Sequence, residues 1–370
     1  MTRSTVDLAG LAAIIDALVE DGYAVLAPVV RDGAVVPATI TTLADLPRGV
    51  GDEQAPGRYR LREGGGALFG YASTATSWKA VLFPARRALW RLDEGGAPVT
   101  ADPDRTKRAL FGVRSCDLQA LAVHDRVLSE RRYADPDYVE RRRNTFLVAI
   151  TCGHPADTCF CTSMGHGPAP DRGFDLCLTE LLDGDGHRFV VEPGSQAGAD
   201  VLGRVPTTSV TASDDDAAAQ VVAAATAAIG RRVDVQGIRD LLYDNAEHPR
   251  WDDVAARCLS CTSCTLACPT CFCVSTLDVD ELTTPLGRDQ VWDSCFNVDH
   301  SYLHGGPVRG STRARYRQWL THKFASWIDQ FGTSGCVGCG RCITWCPAGI
   351  DVTEELAAIR DTAVTSGSEP

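Results

Sequence analysis

The stretch Cys258-Leu-Ser-Cys261-Thr-Ser-Cys264-Thr-Leu-Ala-Cys268-Pro269 returns later in the chain as Cys336-Val-Gly-Cys339-Gly-Arg-Cys342-Ile-Thr-Trp-Cys346-Pro347. Both copies follow C-x2-C-x2-C-x3-C-P, the run with which bacterial iron–sulfur proteins ligate a pair of [4Fe-4S] clusters. Two-residue gaps let one tight loop deliver three thiolates and aim backbone N–H groups at the cluster. The fourth cysteine, one turn further on, faces away and reaches the other cluster, so the two copies exchange their last ligand. The proline stops the loop from rewinding. The expected ligand sets are Cys258, Cys261, Cys264 and Cys346 for one cluster, and Cys336, Cys339, Cys342 and Cys268 for the other. Structural zinc uses paired C-x2-C units and has no use for a triple with an exchanged fourth ligand.

Working outward, the rest of the chain frames this repeat. The 370 residues allow two or three domains, and a 44% hydrophobic, 23% charged composition is that of a globular protein. Sixteen cysteines in a chain without a secretory signal point to metal rather than disulfides. No apolar run approaches the ~20 residues a membrane span needs, so the expected setting is the cytoplasm. The net charge of −12 weighs against a nucleic-acid partner. Of the 36 basic residues only Lys79, Lys107 and Lys323 are lysines.

The fold class expected is α+β. A mixed α/β domain spans 1–205, a helical connector 206–249, and a mostly helical, ferredoxin-like dicluster domain with a long insertion 250–370. In the first, a helix runs within Val6–Glu20. Strands are expected at Tyr23–Val30, Ala67–Tyr71, Ala109–Val113, Phe146–Ile150 and Phe189–Val191. Ala109–Val113 leads through a tight turn into a helix that Ser115 or Asp117 can cap. Helices are expected at Ser213–Ile229 and Ile238–Asn245, and the polar tail after Ile359 should fray.

Five cysteines lie in the first domain. Cys152, Cys159 and Cys161 follow one strand end and Cys116 another, which gives enough ligands for a third cluster. Their spacing fits no standard run, and cysteine is also a small apolar core residue, so both readings stand. Cys177 is the fifth. The insertion between the two motifs carries a similar trio, Cys271, Cys273 and Cys295. It also holds a basic helix with Arg313, Arg315, Arg317, His322 and Lys323, which reads as a solvated face, a docking face for a partner, or a source of positive charge near the clusters.

No dinucleotide-binding or P-loop glycine motif is present, and no G-x-S-x-G or H-E-x-x-H. The chain shows a place to hold electrons and none where substrate bonds break.

Further segments occur in a fixed order: Gly112-Val-Arg-Ser-Cys-Asp117, Cys152, Thr158-Cys-Phe-Cys-Thr-Ser163, Gly165-His-Gly-Pro168, Gly173-Phe-Asp-Leu176, Pro269-Thr-Cys-Phe-Cys273, Trp292-Asp-Ser-Cys295 and His322-Lys-Phe324. With the two cluster motifs they resemble the iron–sulfur beta subunit of cytoplasmic NAD(P)-linked [NiFe] hydrogenases, the sulfhydrogenases. An iron–sulfur subunit of anaerobic sulfite reductase is similar. The resemblance implies a heteromeric complex. A flavin subunit exchanges hydride with NAD(P)H, the beta subunit relays single electrons, and a small subunit and a nickel–iron large subunit make or split hydrogen. It places the eight ferredoxin-type cysteines on the family's cluster ligands.

Overall fold

The computed structural model describes residues 2–63, 65–130, 132–183, 186–280 and 285–363. An eight-stranded sheet organises the first half. Its order is Thr208–Ser209, Ser4–Asp7, Gly186–Pro193, Leu176–Asp183, Thr145–Ile150, Arg108–Val113, Ala24–Arg31, Ala34–Thr39. The four strands from Leu176–Asp183 to Ala24–Arg31 are mutually parallel, and the flanking strands are antiparallel. The central strands are buried on both faces and read as unbroken apolar runs, Ala109-Leu-Phe111 and Phe146-Leu-Val-Ala-Ile150. Helix Leu8–Glu20 covers one face with Leu11, Ile14, Ile15 and Leu18. Asp7 caps it by accepting from Gly10 N at 2.8 Å. Val6 belongs to the preceding strand rather than to the helix.

Four of the five expected strands form. Ala67–Tyr71 does not, although it is buried. Its polar backbone is taken by side chains instead of a ladder. The Glu180 carboxylate accepts from Leu68 N (2.6 Å) and Phe69 N (3.0 Å), and Arg114 donates to the carbonyls of Phe69 (3.0 Å) and Tyr71 (2.8 Å). Apolar content alone cannot distinguish such a crossing segment from a strand. The helices expected at Ser213–Ile229 and Ile238–Asn245 run over Ala212–Ala228 and Ile238–Asp244. The last helix continues to Asp361, and residues 364–370 of the expected frayed tail lie outside the described residues.

The second half wraps short helices around the two cysteine motifs, with Trp251, Phe296, Tyr316, Trp319, Phe324 and Ile343 as its core. The insertion adds strands to this helical frame. The hairpin Val274–Val279/Gly287–Trp292 pairs with the N-terminal strand Arg86–Leu92, which pairs with Pro98–Thr100. A second hairpin, Val50–Ala55/Arg58–Glu63, braces the later cysteine motif. There Gly57 N donates to Ile343 O (3.1 Å), Tyr59 stacks on Trp345, and Thr344 donates to Gln54 (2.9 Å). Both hairpins carry N-terminal and C-terminal residues into shared packing.

Candidate metal centres

The two motif loops have the same backbone. Ser260 and Thr262 sit at φ 48° and 68°, and their counterparts Gly338 and Gly340 at 64° and 75°. Left-handed residues at these two gaps curl each loop around its cysteines. In both, the residue two after the first cysteine turns its N–H onto that sulfur, Ser260 to Cys258 and Gly338 to Cys336, each at 3.4 Å. Ser and Thr in this conformation cost about 1–2 kcal/mol each, a strain typical of ligand-holding loops. Glycine is obligatory in the second loop, because its neighbour is backbone. A Cβ on Gly338 would meet Cys161 Cα at 2.7 Å, and one on Gly340 would meet Thr158 O at 2.5 Å.

Three small hollows are ringed by cysteines. The first is lined by Cys258, Cys261, Cys264 and Cys346, with Phe296, Tyr316 and Trp319 behind them. The second is lined by Cys336, Cys339, Cys342 and Cys268. The fourth cysteine of each motif thus lies at the other motif's hollow, in the exchanged arrangement that the run implies. Cys342 lines both hollows, which places them side by side.

The third hollow is lined by Cys116, Cys152, Cys159 and Cys161. Cys116 follows strand Arg108–Val113 and sits in the first turn of helix Ser115–Leu128, where burial and the Asp117 carboxylate push its thiol up. Cys152 follows strand Thr145–Ile150. The hollow therefore opens at the carboxyl ends of adjacent parallel strands, the usual place for a site in such sheets. Cys159 and Cys161 arrive on a loop packed against the second motif, with Phe160 N donating to Gly338 O at 2.8 Å. Cys339 lines both the second and the third hollow. Cys177, by contrast, is buried in the strand Leu176–Asp183 and packs with Phe174 and Leu147 as a structural thiol.

Among the described residues no three His, Cys, Asp or Glu side chains converge closely enough for a single metal ion. Each hollow is instead ringed by four cysteines, the ligand number of a cubane cluster. Burial pushes the thiols up, Cys161 to about 11 and Cys336 to about 12, so a ligand that binds thiolate has to bring positive charge. The chain contributes fixed cations as well. Arg114, 2% exposed, borders the third hollow and spends its donors on the carbonyls of Thr151, Phe69 and Tyr71. Arg341, 1% exposed, pairs with Asp117 at 3.0 Å. Lys323 donates to Cys268 Sγ at 3.2 Å. It sits in a π-helical turn, His322–Ser326, a distortion that often marks functional positions. The hydrogen bond from Cys271 and the Lys323 charge outweigh burial and hold the Cys268 thiol well below its usual range.

The basic helix Thr312–Thr321 proves to be a brace. Arg313 pairs with Glu247 and Asp252, and Arg317 with Glu247. Arg315 is buried, on the carbonyls of Arg309 and Gly310. Only the last residue of that group, Lys323, brings charge to a cysteine. Arg114 and Arg341 escaped sequence reading because arginine is abundant. The rarity of lysine was the usable signal for Lys323.

Paired cysteine loops with exchanged fourth residues define an iron–sulfur electron-transfer protein of the dicluster type, and residues 257–350 match the 4Fe-4S dicluster domain family. Over 303 residues the chain is 32% identical to sulfhydrogenase 2 subunit beta of Pyrococcus furiosus, an overlap of 79% of this chain and 85% of that relative. The chain belongs to the sulfhydrogenase beta-subunit family. No solved structure matches it.

Proposed function

We propose that this chain is the electron-relay subunit of a cytoplasmic [NiFe] hydrogenase complex, passing single electrons between an NAD(P)H-oxidising flavoprotein subunit and the hydrogenase small and large subunits. The observation that carries the reading is the contiguous row of three four-cysteine hollows, joined through Cys342 and Cys339. Cys258, Cys261, Cys264 and Cys346 would hold one [4Fe-4S] cluster, and Cys336, Cys339, Cys342 and Cys268 a second. Cys116, Cys152, Cys159 and Cys161 would hold a third. When bound, these clusters supply reversible uptake and release of single electrons. The chain's own residues set the conditions. Phe296, Tyr316 and Trp319 wall the first hollow, while Cys261 and Leu259 are exposed at its mouth, the natural contact for a redox partner. Lys323, Arg341 and Arg114 put positive charge beside the second and third, which eases reduction there.

In this reading 1–205 forms the third centre, 206–249 connects, and 250–370 holds the dicluster pair. Among the described residues no helix is long and apolar enough to cross a membrane.

Anaerobic purification of the tagged chain from its host tests the proposal. The expected companions are a flavoprotein and a nickel protein, with NAD(P)H reducing the clusters. A sirohaem protein in place of nickel would move the assignment to a sulfite reductase complex. Loss of about four irons in Cys152→Ser or Cys159→Ser is expected if the third hollow is loaded; unchanged iron removes that centre.

A further inference from the structure

Twelve of the sixteen cysteines ring the three hollows and Cys177 is structural. Cys271, Cys273 and Cys295 remain, and the fold gathers them. Cys273 precedes strand Val274–Val279, whose Val274 pairs with Trp292 across the hairpin. The pairing continues one step further, with Asp293 N donating to Cys273 O at 2.9 Å. This brings Cys295 to the base of the hairpin, beside Cys273. Cys271, two residues earlier, lies next to Cys268. Cys295 also lies within electrostatic reach of Cys271 and Cys264. The trio therefore flanks both ferredoxin-type hollows, touching a ligand position of the second and approaching one of the first.

The charges around it are the second observation. Two of the chain's three lysines, Lys79 and Lys323, are buried here, 3% and 6% exposed. Among the described residues neither forms an ion pair with a carboxylate. Among the described residues Lys79 Nζ has Leu266 O at 3.5 Å and the face of Trp292 at 4.1 Å; burial pushes the lysine down, and the groups that oppose this are the sulfurs of Cys271, Cys268 and Cys273. Lys323 faces Cys268, Cys271 and Cys336. An ammonium taken out of water needs a compensating anion. The cluster at the second hollow gives Lys323 one, but Lys79 comes from the far end of the chain and is left facing the trio.

Resting on the reading of the hollows as cluster sites, we propose that Cys271, Cys273 and Cys295 hold a fourth iron–sulfur cluster, bound by three thiolates and neutralised by Lys79 and Lys323. Three thiolates suit a three-iron cluster, or a cubane whose fourth iron takes a non-cysteine ligand. In that position the cluster is a side branch beside the dicluster pair rather than a further step in the row.

The test is iron and acid-labile sulfide per polypeptide in the anaerobically purified complex, for the wild type and for Cys271→Ser, Cys273→Ser, Cys295→Ser and the control Cys177→Ser. Relative to the wild-type complex, iron should fall by about three or four in each trio variant and stay level in the control. In parallel, the native wild-type protein is alkylated before and after iron chelation and read by mass spectrometry. The trio should be protected until iron is removed, a readout that holds even if a variant misfolds. Unchanged iron in the trio variants, free alkylation of the native trio, or a Cys273–Cys295 disulfide in the native protein would overturn the proposal. Failure of the third hollow is read separately, from Cys152→Ser, so the two outcomes do not mask each other.

Discussion

Lys323 Nζ lies 3.2 Å from Cys268 Sγ, inside the protein, with Thr270 Oγ1 and Gly335 O completing its contacts at 3.1 and 3.3 Å. A buried ammonium on a cluster thiolate stabilises the more negative, reduced state. A charge-assisted hydrogen bond is worth about 1.5–3 kcal/mol, which for one electron is on the order of 100 mV. Lys323→Met should therefore lower the potential of the centre proposed at Cys336, Cys339, Cys342 and Cys268 by roughly that amount. An EPR-monitored redox titration reads it, and an unmoved potential would assign the lysine a packing role only.

The proposed exchange of fourth ligands gives a crossed pair of outcomes. Cys268→Ser should damage the centre whose other ligands are Cys336, Cys339 and Cys342, and Cys346→Ser the one with Cys258, Cys261 and Cys264. The spectra of the two variants should complement each other. If each substitution harms its own motif's centre, the pairing is wrong.

The two motif loops should answer glycine chemistry in opposite ways. Gly338→Ala puts a methyl 2.7 Å from Cys161 Cα at a φ of 64°. Overpacking costs about 1–3 kcal/mol and the backbone about 1–2 more, and the second and third centres should both suffer. Thr262→Gly relieves a residue at φ 68° and should leave iron content intact with equal or higher thermal stability. Paired iron assays and melting curves compare them.

Arg341 and Asp117 form an ion pair in which both side chains are almost fully buried. Arg341→Leu strands the carboxylate and should cost about 3–5 kcal/mol, whereas the double variant Arg341→Leu/Asp117→Leu should recover a large part. Denaturant unfolding of the four members of this cycle under one set of anaerobic conditions measures it.

The chain stated some of this in plain form and withheld the rest. Residues three apart in a loop are neighbours whatever surrounds them, so the two C-x2-C-x2-C-x3-C runs could be read directly. The apolar runs Ala109–Val113 and Phe146–Ile150 named the inner strands for the same local reason. Ala67–Tyr71 misled, because its backbone partners are Glu180 and Arg114, more than forty residues away. The basic helix read as a free face because the partners of Arg313 and Arg317, Glu247 and Asp252, lie more than sixty residues earlier, while its reading as charge near the clusters holds at Lys323.

By itself the sequence determined which cysteines travel together: two loops of three, each followed by a fourth that faces outward. Only the tertiary structure decided which groups meet. Strand order brings the ends of Arg108–Val113 and Thr145–Ile150 side by side, and so Cys116 to Cys152. Hairpin register brings Cys295 to Cys273. Packing of the insertion against the N-terminal strands brings Lys79 to cysteine sulfurs nearly two hundred residues on. Spacing encodes distance only along a short stretch of chain. Where the burial of apolar faces dictates approach, as in a sheet closing over a core, the meeting is a property of the whole fold and no segment carries it alone.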